Sequence, residues 1–166
     1  DDINGRREWF GALDNLPQRQ QVLAAELAQQ NGLISLAIRT ANIAEATDHL
    51  ALRFPITHEP QFRQATMRTA LPTPLLIAIA RQESALESGA RSSADARGLM
   101  QLLPSTARLV ARRAGMNTPS SSDLYDPSTN IRLGSFHLAW RLQRYDGQAP
   151  LAIAAYNAGE HRVDRW

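Results

Sequence analysis

LeuLeuIleAlaIleAlaArgGlnGlu, residues 75–83, carries an apolar run straight into a carboxylate, and after a polar, glycine-containing turn the string GlyLeuMetGln follows at 98–101. At 3.6 residues per turn Leu75, Ile79 and Glu83 stand at i, i+4 and i+8, so the spacing predicts a helix whose buried stripe ends in the carboxyl group. A carboxyl in that position loses solvation, its pKa rises, and it can stay protonated near neutral pH and act as a general acid. A plainer reading stands beside this one: many helices end in a Glu that leans into solvent. The rest of the chain decides between them.

Working outward, ProThrPro at 72–74 predicts the start of that helix, with Thr73 as N-cap and Pro74 at the first helical position. A helix over about Gln61–Thr69 precedes it, and residues 87–97, rich in Ser, Gly, Ala and Arg without a period, read as a loop. ProSerThrAla at 104–107 opens a helix that stops near Gly115, and AspProSerThrAsn at 126–130 caps a longer one. In that longer helix Ile131, Ser135, Leu138, Leu142 and Tyr145 recur as a core-facing seam that Gly147 ends. Pro150 then begins LeuAlaIleAlaAlaTyrAsnAlaGly, a helix of small residues that other backbones can approach closely.

On the N-terminal side, short helices are expected at 6–13, from Pro17 to Gly32, and over Leu33–Ala46. In the second, Leu23, Leu27 and Gln30 share one face, and Val22, Ala25 and Ala28 form a small-residue stripe suited to close packing. Helical pairs of this length are typical of solenoid arrays, although no second copy establishes a period. ArgPheProIleThrHisGluPro at 53–60 interrupts helix, because the two prolines restrict their neighbours, and a domain boundary is placed there. The expected division is 1–55 and 56–166. No convincing run of alternating residues predicts a strand, so the fold class is all-α.

With 166 residues and 43% apolar content the chain suits one ordinary domain, or one compact domain with an appendage. Every one of its 18 basic residues is Arg, and against 16 acidic residues they leave a net charge of only +2, which is no nucleic-acid footprint. Absence of cysteine excludes disulfides and thiolate zinc sites. The longest purely apolar run, 75–80, is far short of a membrane span, so no transmembrane segment is expected. AspAspIleAsn at the start and Trp166 at the end look like cuts through a longer protein.

The four histidines, 49, 58, 137 and 161, lack metal-ligand spacing, no GlyXxxSerXxxGly elbow marks a nucleophile, and no glycine loop cradles phosphate. No metal or cofactor is expected. What remains is Glu83, a polar loop, Gln101, and the pair Tyr156 and Asn157, although a buried Tyr with one hydrogen-bond partner is common in any core. ArgGlnGluSerAla at 81–85, GlyLeuMetGlnLeuLeuProSerThrAla at 98–107, AspProSerThrAsnIleArgLeuGly at 126–134 and AlaAlaTyrAsnAlaGly at 154–159 form an ordered series. In these four motifs the chain resembles the soluble lytic transglycosylases, enzymes with a lysozyme-like fold that cut bacterial peptidoglycan, over roughly residues 56–166.

The resemblance implies Glu83 as catalytic acid/base followed by the signature Ser84, Tyr156 beside it, and substrate contacts from Ser92, Met100, Gln101 and Asn157, with Met100 also a packing residue of that wall. It implies peptidoglycan glycan strands as partner, a periplasmic or cell-envelope location, and, for residues 1–55, the tail of a helical superhelix. Catalytic domains of the family generally continue beyond the position of Trp166. Three departures stand out: Asp95 where Gly is usual, Leu103 where Met is common, and Glu160 with His161 in place of ProGly. Asp tolerates a left-handed backbone and adds a negative charge near the expected cleft. The implied reaction cleaves the bond between N-acetylmuramic acid and N-acetylglucosamine without water. Its rivals are a lysozyme-type hydrolase using Asp95 or Asp126 as second carboxylate, and a peptidoglycan-binding module that does not cut.

Overall fold

The computed structural model describes residues 2–166, and among them only helices and isolated bridges occur, the bridges pairing Arg91 with Arg97 and Arg97 with Leu102. The chain forms two compact units, one of residues 1–57 together with 85–87, the other of residues 58–84 and 88–166. A boundary drawn along the sequence alone does not anticipate the return of 85–87 to the first unit.

In the first unit α1 (Asp2–Leu13), α2 (Gln18–Gln30), α3 (Ile34–Ile43) and α4 (Leu50–Arg53) follow one another. Pro17 precedes α2 and Gly32, at φ 74°, follows it, the arrangement that helix termini favour. The alanine stripe is what packs. Ala25 joins Ala41, Ala44, Ala46 and Leu52 in a buried core of mostly small side chains, while Leu23 and Leu27 stay exposed. Long-range hydrogen bonds close the unit: Trp9 Nε1 donates to Thr40 Oγ1 at 2.9 Å, and Glu87 accepts from Arg6 and, at 3.0 Å, from Ser35. Glu87 follows two non-glycine residues in left-handed conformation, Ala85 (φ 54°) and Leu86 (φ 62°). Each costs roughly 1–2 kcal/mol, so the bonds to Glu87 offset local strain.

The second unit is built around α8 (Pro127–Arg144), against which α5 (Glu59–Thr69), α7 (Pro104–Arg113) and α9 (Ala149–Ala158) pack; α6 (Thr73–Ser84) leans on α5, and α10 (Glu160–Val163) follows α9. Asp126 caps α8, its carboxylate accepting from the Thr129 N–H at 2.7 Å, with Pro127 in the first turn. The expected seam is only part of the buried surface of α8. Ile131, Ser135 and Leu138 are buried, but so are Asn130, Leu133, Gly134 and His137, while Leu142 and Tyr145 are half-buried. A helix packed on several sides cannot show one clean stripe.

Two expectations about α6 are corrected. The Pro72 carbonyl accepts the first helical hydrogen bond, from Leu76, and Thr73 lies inside the helix, its hydroxyl 2.8 Å from that of Thr66. The buried stripe runs through Leu76, Ala80 and Ser84, one residue round from Leu75, Ile79 and Glu83. Ile79 is still buried, whereas Glu83 sits at the border of the stripe and is half-buried. That rotation of about 100° lets the carboxylate be desolvated without being sealed.

Candidate active site

Glu83 leaves the last turn of α6 into a cleft of about 390 Å³ that Ser92, Gln101, Tyr156 and Asn157 also line. The cleft draws on five parts of the second unit: the end of α6, the loop 92–103, α7, α8 and α9. Ser84, next to Glu83, is buried with its Oγ 2.8 Å from the Leu99 carbonyl and 3.0 Å from that of Ala80, so the helix end is tied to the loop. From the far side Asn130 holds the same loop. Its Oδ1 accepts from the Met100 N–H at 2.7 Å, and its Nδ2 donates to the carbonyls of Arg97 and Leu124, both at 2.8 Å. A fully buried amide meeting three backbone groups is a rigid clamp, and leaving those groups unmet would be costly.

Gly98 permits this geometry. It has φ +73°, and a Cβ there would lie 2.1 Å from the Leu124 carbonyl oxygen and 2.4 Å from Asn130 Nδ2. Gly134 on α8 does the same for Met100, whose Sδ would stand 2.5 Å from an added Cβ. Met100 is therefore wholly buried against α8 and its side chain does not line the cleft. Of the two roles expected of that side chain, sugar contact and packing, its burial supports packing alone, and the exposed Leu103 lines the cleft together with Leu102.

Tyr156 donates its hydroxyl proton to the Met100 carbonyl at 2.7 Å. Burial, with the nearby Glu83 charge, pushes the phenol well above its ordinary pKa, so it stays protonated. Glu83 is itself pushed up by desolvation, opposed by the hydrogen bond from the Asn157 side chain, which favours the charged form. Ser92 Oγ accepts from the Ala96 N–H at 3.0 Å and closes a tight loop. Gln101, itself left-handed at φ 45°, donates from Nε2 to the Gly98 carbonyl at 2.9 Å.

Asp95 takes the left-handed conformation, φ 67°, at the tip of that loop. Its carboxylate is gripped by Arg91 at 2.6 Å and by Arg97 at 2.9 Å, interactions that hold it below the usual carboxylate range, and it does not line the cleft. The expected negative charge at the cleft is thus neutralised, and Asp126 is spent on capping α8. Glu160 pairs with Arg141 at 2.8 Å. Among the described residues lining the cleft, Glu83 is the only carboxylate.

His137, from α8, also lines the cleft, its ring centroid 5.1 Å from that of Tyr156 with the planes tilted by 57°. Sequence reading passed over it, because a single His on a helix with a mostly apolar face carries no spacing signal. Asn130 was visible only as the end of a capping motif. Its function as a clamp depends on Arg97 and Leu124, which no local pattern connects.

Residues 60–166 match the Transglycosylase SLT domain, and residues 1–50 match the Soluble lytic murein transglycosylase L domain. The soluble lytic murein transglycosylase of Escherichia coli K12 is 33% identical over 99% of this chain, which covers 26% of that protein. The crystal structure of an inactive glutamate-to-glutamine mutant of the lytic transglycosylase Slt from Pseudomonas aeruginosa superposes on 99% of the chain with a TM-score of 0.94 at 38% identity. The 70 kDa soluble lytic transglycosylase from E. coli gives 0.89 at 32% identity, also over 99% of the chain, and in both structures the match covers 27% of the longer relative. This chain thus spans about a quarter of the length of those relatives. An all-α, lysozyme-like unit with its motifs gathered on one cleft, matched from residue 60 to 166 by the Transglycosylase SLT domain, belongs to the soluble lytic transglycosylase family.

Proposed function

We propose that the cleft cleaves the β-1,4 bond between N-acetylmuramic acid and N-acetylglucosamine in peptidoglycan without water, leaving 1,6-anhydromuramic acid ends. The observation that carries this reading is the lone carboxylate: Glu83 is half-buried in a cleft otherwise lined by neutral side chains. Ordinary retaining or inverting glycosidases need two carboxylates at a defined separation. One suffices when the nucleophile belongs to the substrate.

Protonated Glu83 gives its proton to the glycosidic oxygen as the bond from C1 breaks, and the substrate's acetamido group supports the positive charge left on C1. The Glu83 carboxylate then takes the proton of the C6 hydroxyl while its oxygen bonds to C1, so proton and bond counts close with no water consumed. Tyr156, kept protonated by burial and the nearby Glu83 charge and anchored on the Met100 carbonyl, presents its oxygen beside the carboxyl and the developing charge. Asn157 orients Glu83, while Gln101 and Ser92 hold the sugar. The inactive glutamate-to-glutamine form of the Pseudomonas relative supports the dependence on one acid. The proposed substrate supports a location in the periplasm or cell envelope. Among the described residues no helix is long and apolar enough to cross a membrane.

Mass spectrometry of products from purified sacculi tests the reaction: anhydro ends are expected, and products heavier by one water would establish a hydrolase. The pH profile tests the acid. Glu83 works protonated and its pKa is raised, so kcat/KM should fall as pH rises through a midpoint above the ordinary 4.5. Asn157 stabilises the charged form, and Asn157→Ala should move that alkaline limb to higher pH. A limb that stays in place would remove Asn157 from contact with the acid.

A further inference from the structure

We propose that His137 contacts the glycan directly, its imidazole hydrogen-bonding a sugar hydroxyl or acetamido group beside Tyr156. The proposal rests on the reading of the cleft as a glycan site and adds a residue that the motif series does not include. His137 is only 8% exposed, yet it lines the cleft. Among the described residues no group hydrogen-bonds its ring, and neither ring nitrogen is among the polar atoms sealed from solvent without a partner. An imidazole that is nine-tenths buried, unpartnered in the protein and open on one edge to a cleft lacks the interaction that normally accompanies burial. A ligand in that cleft would supply it.

The ring is well fixed. It comes from the middle of α8, one turn from Gly134, against which Met100 packs, and it lies against Tyr156, whose hydroxyl is anchored on the Met100 carbonyl. Preorganisation on a rigid helix is what a sugar-binding group requires. Burial, with the charge of Arg141, lowers the His137 pKa to about 4. At neutral pH the imidazole therefore offers one N–H donor and one acceptor nitrogen, matched to hydroxyl and amide groups that do both. It adds no charge to a cleft whose one ionisable carboxyl is Glu83.

The test uses the Glu83→Gln protein, which should bind glycan without consuming it, titrated calorimetrically with a purified tetrasaccharide of alternating N-acetylglucosamine and N-acetylmuramic acid. His137→Phe on this background keeps the ring and removes its polar edge. Affinity is expected to fall about tenfold, the loss of one hydrogen bond in a dry site, with Tm unchanged. His137→Gln, which restores a donor and an acceptor, should recover at least half of the loss on a logarithmic scale. With Glu83 intact, His137→Phe should raise KM about tenfold and leave kcat within about twofold, a split that a purely structural role would not produce.

Nitrogen-15 spectra of the Glu83→Gln protein give a readout that needs no His137 variant: glycan should protect a His137 ring N–H from solvent exchange. Equal affinity of the Phe variant and its parent, or a ring N–H that stays unprotected at saturating glycan, overturns the proposal alone. A Glu83→Gln parent that binds no glycan overturns the reading of the cleft as well.

Discussion

Glu83→Gln should leave the fold intact and lower the rate of glycan release by roughly a thousandfold, the scale set by losing a positioned acid. Gln preserves shape and the hydrogen bond with Asn157, so binding should survive while proton transfer does not. The loss should fall on kcat, because in the proposed reaction the same carboxyl donates the first proton and accepts the last. Stability should not fall with it. Desolvation works against the charged form of Glu83, so a neutral isostere relieves a cost, and thermal unfolding is expected at the native temperature or slightly above. Anhydro products at the native rate from this variant would take the acid role away from Glu83.

Gly98→Ala should be the most destabilising methyl that can be added to the second unit. The new carbon would stand 2.1 Å from a backbone carbonyl oxygen and 2.4 Å from the Asn130 amide, at a backbone angle of +73° that L side chains rarely adopt. Neither obstacle can swing aside, because Leu124 is backbone and Asn130 is already committed to three hydrogen bonds. A loss of about 4 kcal/mol or more is expected, seen as a Tm lower by about 10 °C or more. Gly134→Ala meets the side chain of Met100 instead. That unbranched chain can turn away, so about 1–3 kcal/mol is expected there. Chemical denaturation of the two variants side by side checks the order, and equal losses would mean that the Gly98 loop yields more easily than its clamp implies.

Much of this was legible because it is local. The Gly that ends α2, the Asp126 cap and the apolar run into Glu83 are dictated by neighbours within a few residues, where helix geometry and termini set the rules. The motif series, with the loop between its first two members, located the cleft residues Glu83, Ser92, Gln101, Tyr156 and Asn157, which the fold gathers from three separate segments. For Met100 the sequence offered both a sugar contact and a packing role, because a loop has no period to say which way a side chain faces, and its burial favours packing. Asp95 was read as a charge at the cleft because its Arg91 and Arg97 partners are fixed by the shape of the loop and not by its composition.

By itself the sequence determined the helical class, the helix ends, and the placement of a carboxyl at the close of an apolar run. Tertiary structure decided which way each helix is turned: α6 buries Leu76, Ala80 and Ser84, leaving Glu83 at the border where it is dried but reachable. It also decided that Asn130 reaches the carbonyls of Arg97 and Leu124 and that His137 opens onto the cleft. The division has one physical cause. Hydrogen bonds within a helix join residues four apart and are written in short patterns, whereas rotation about a helix axis is set by what packs against it, and those partners lie tens of residues away.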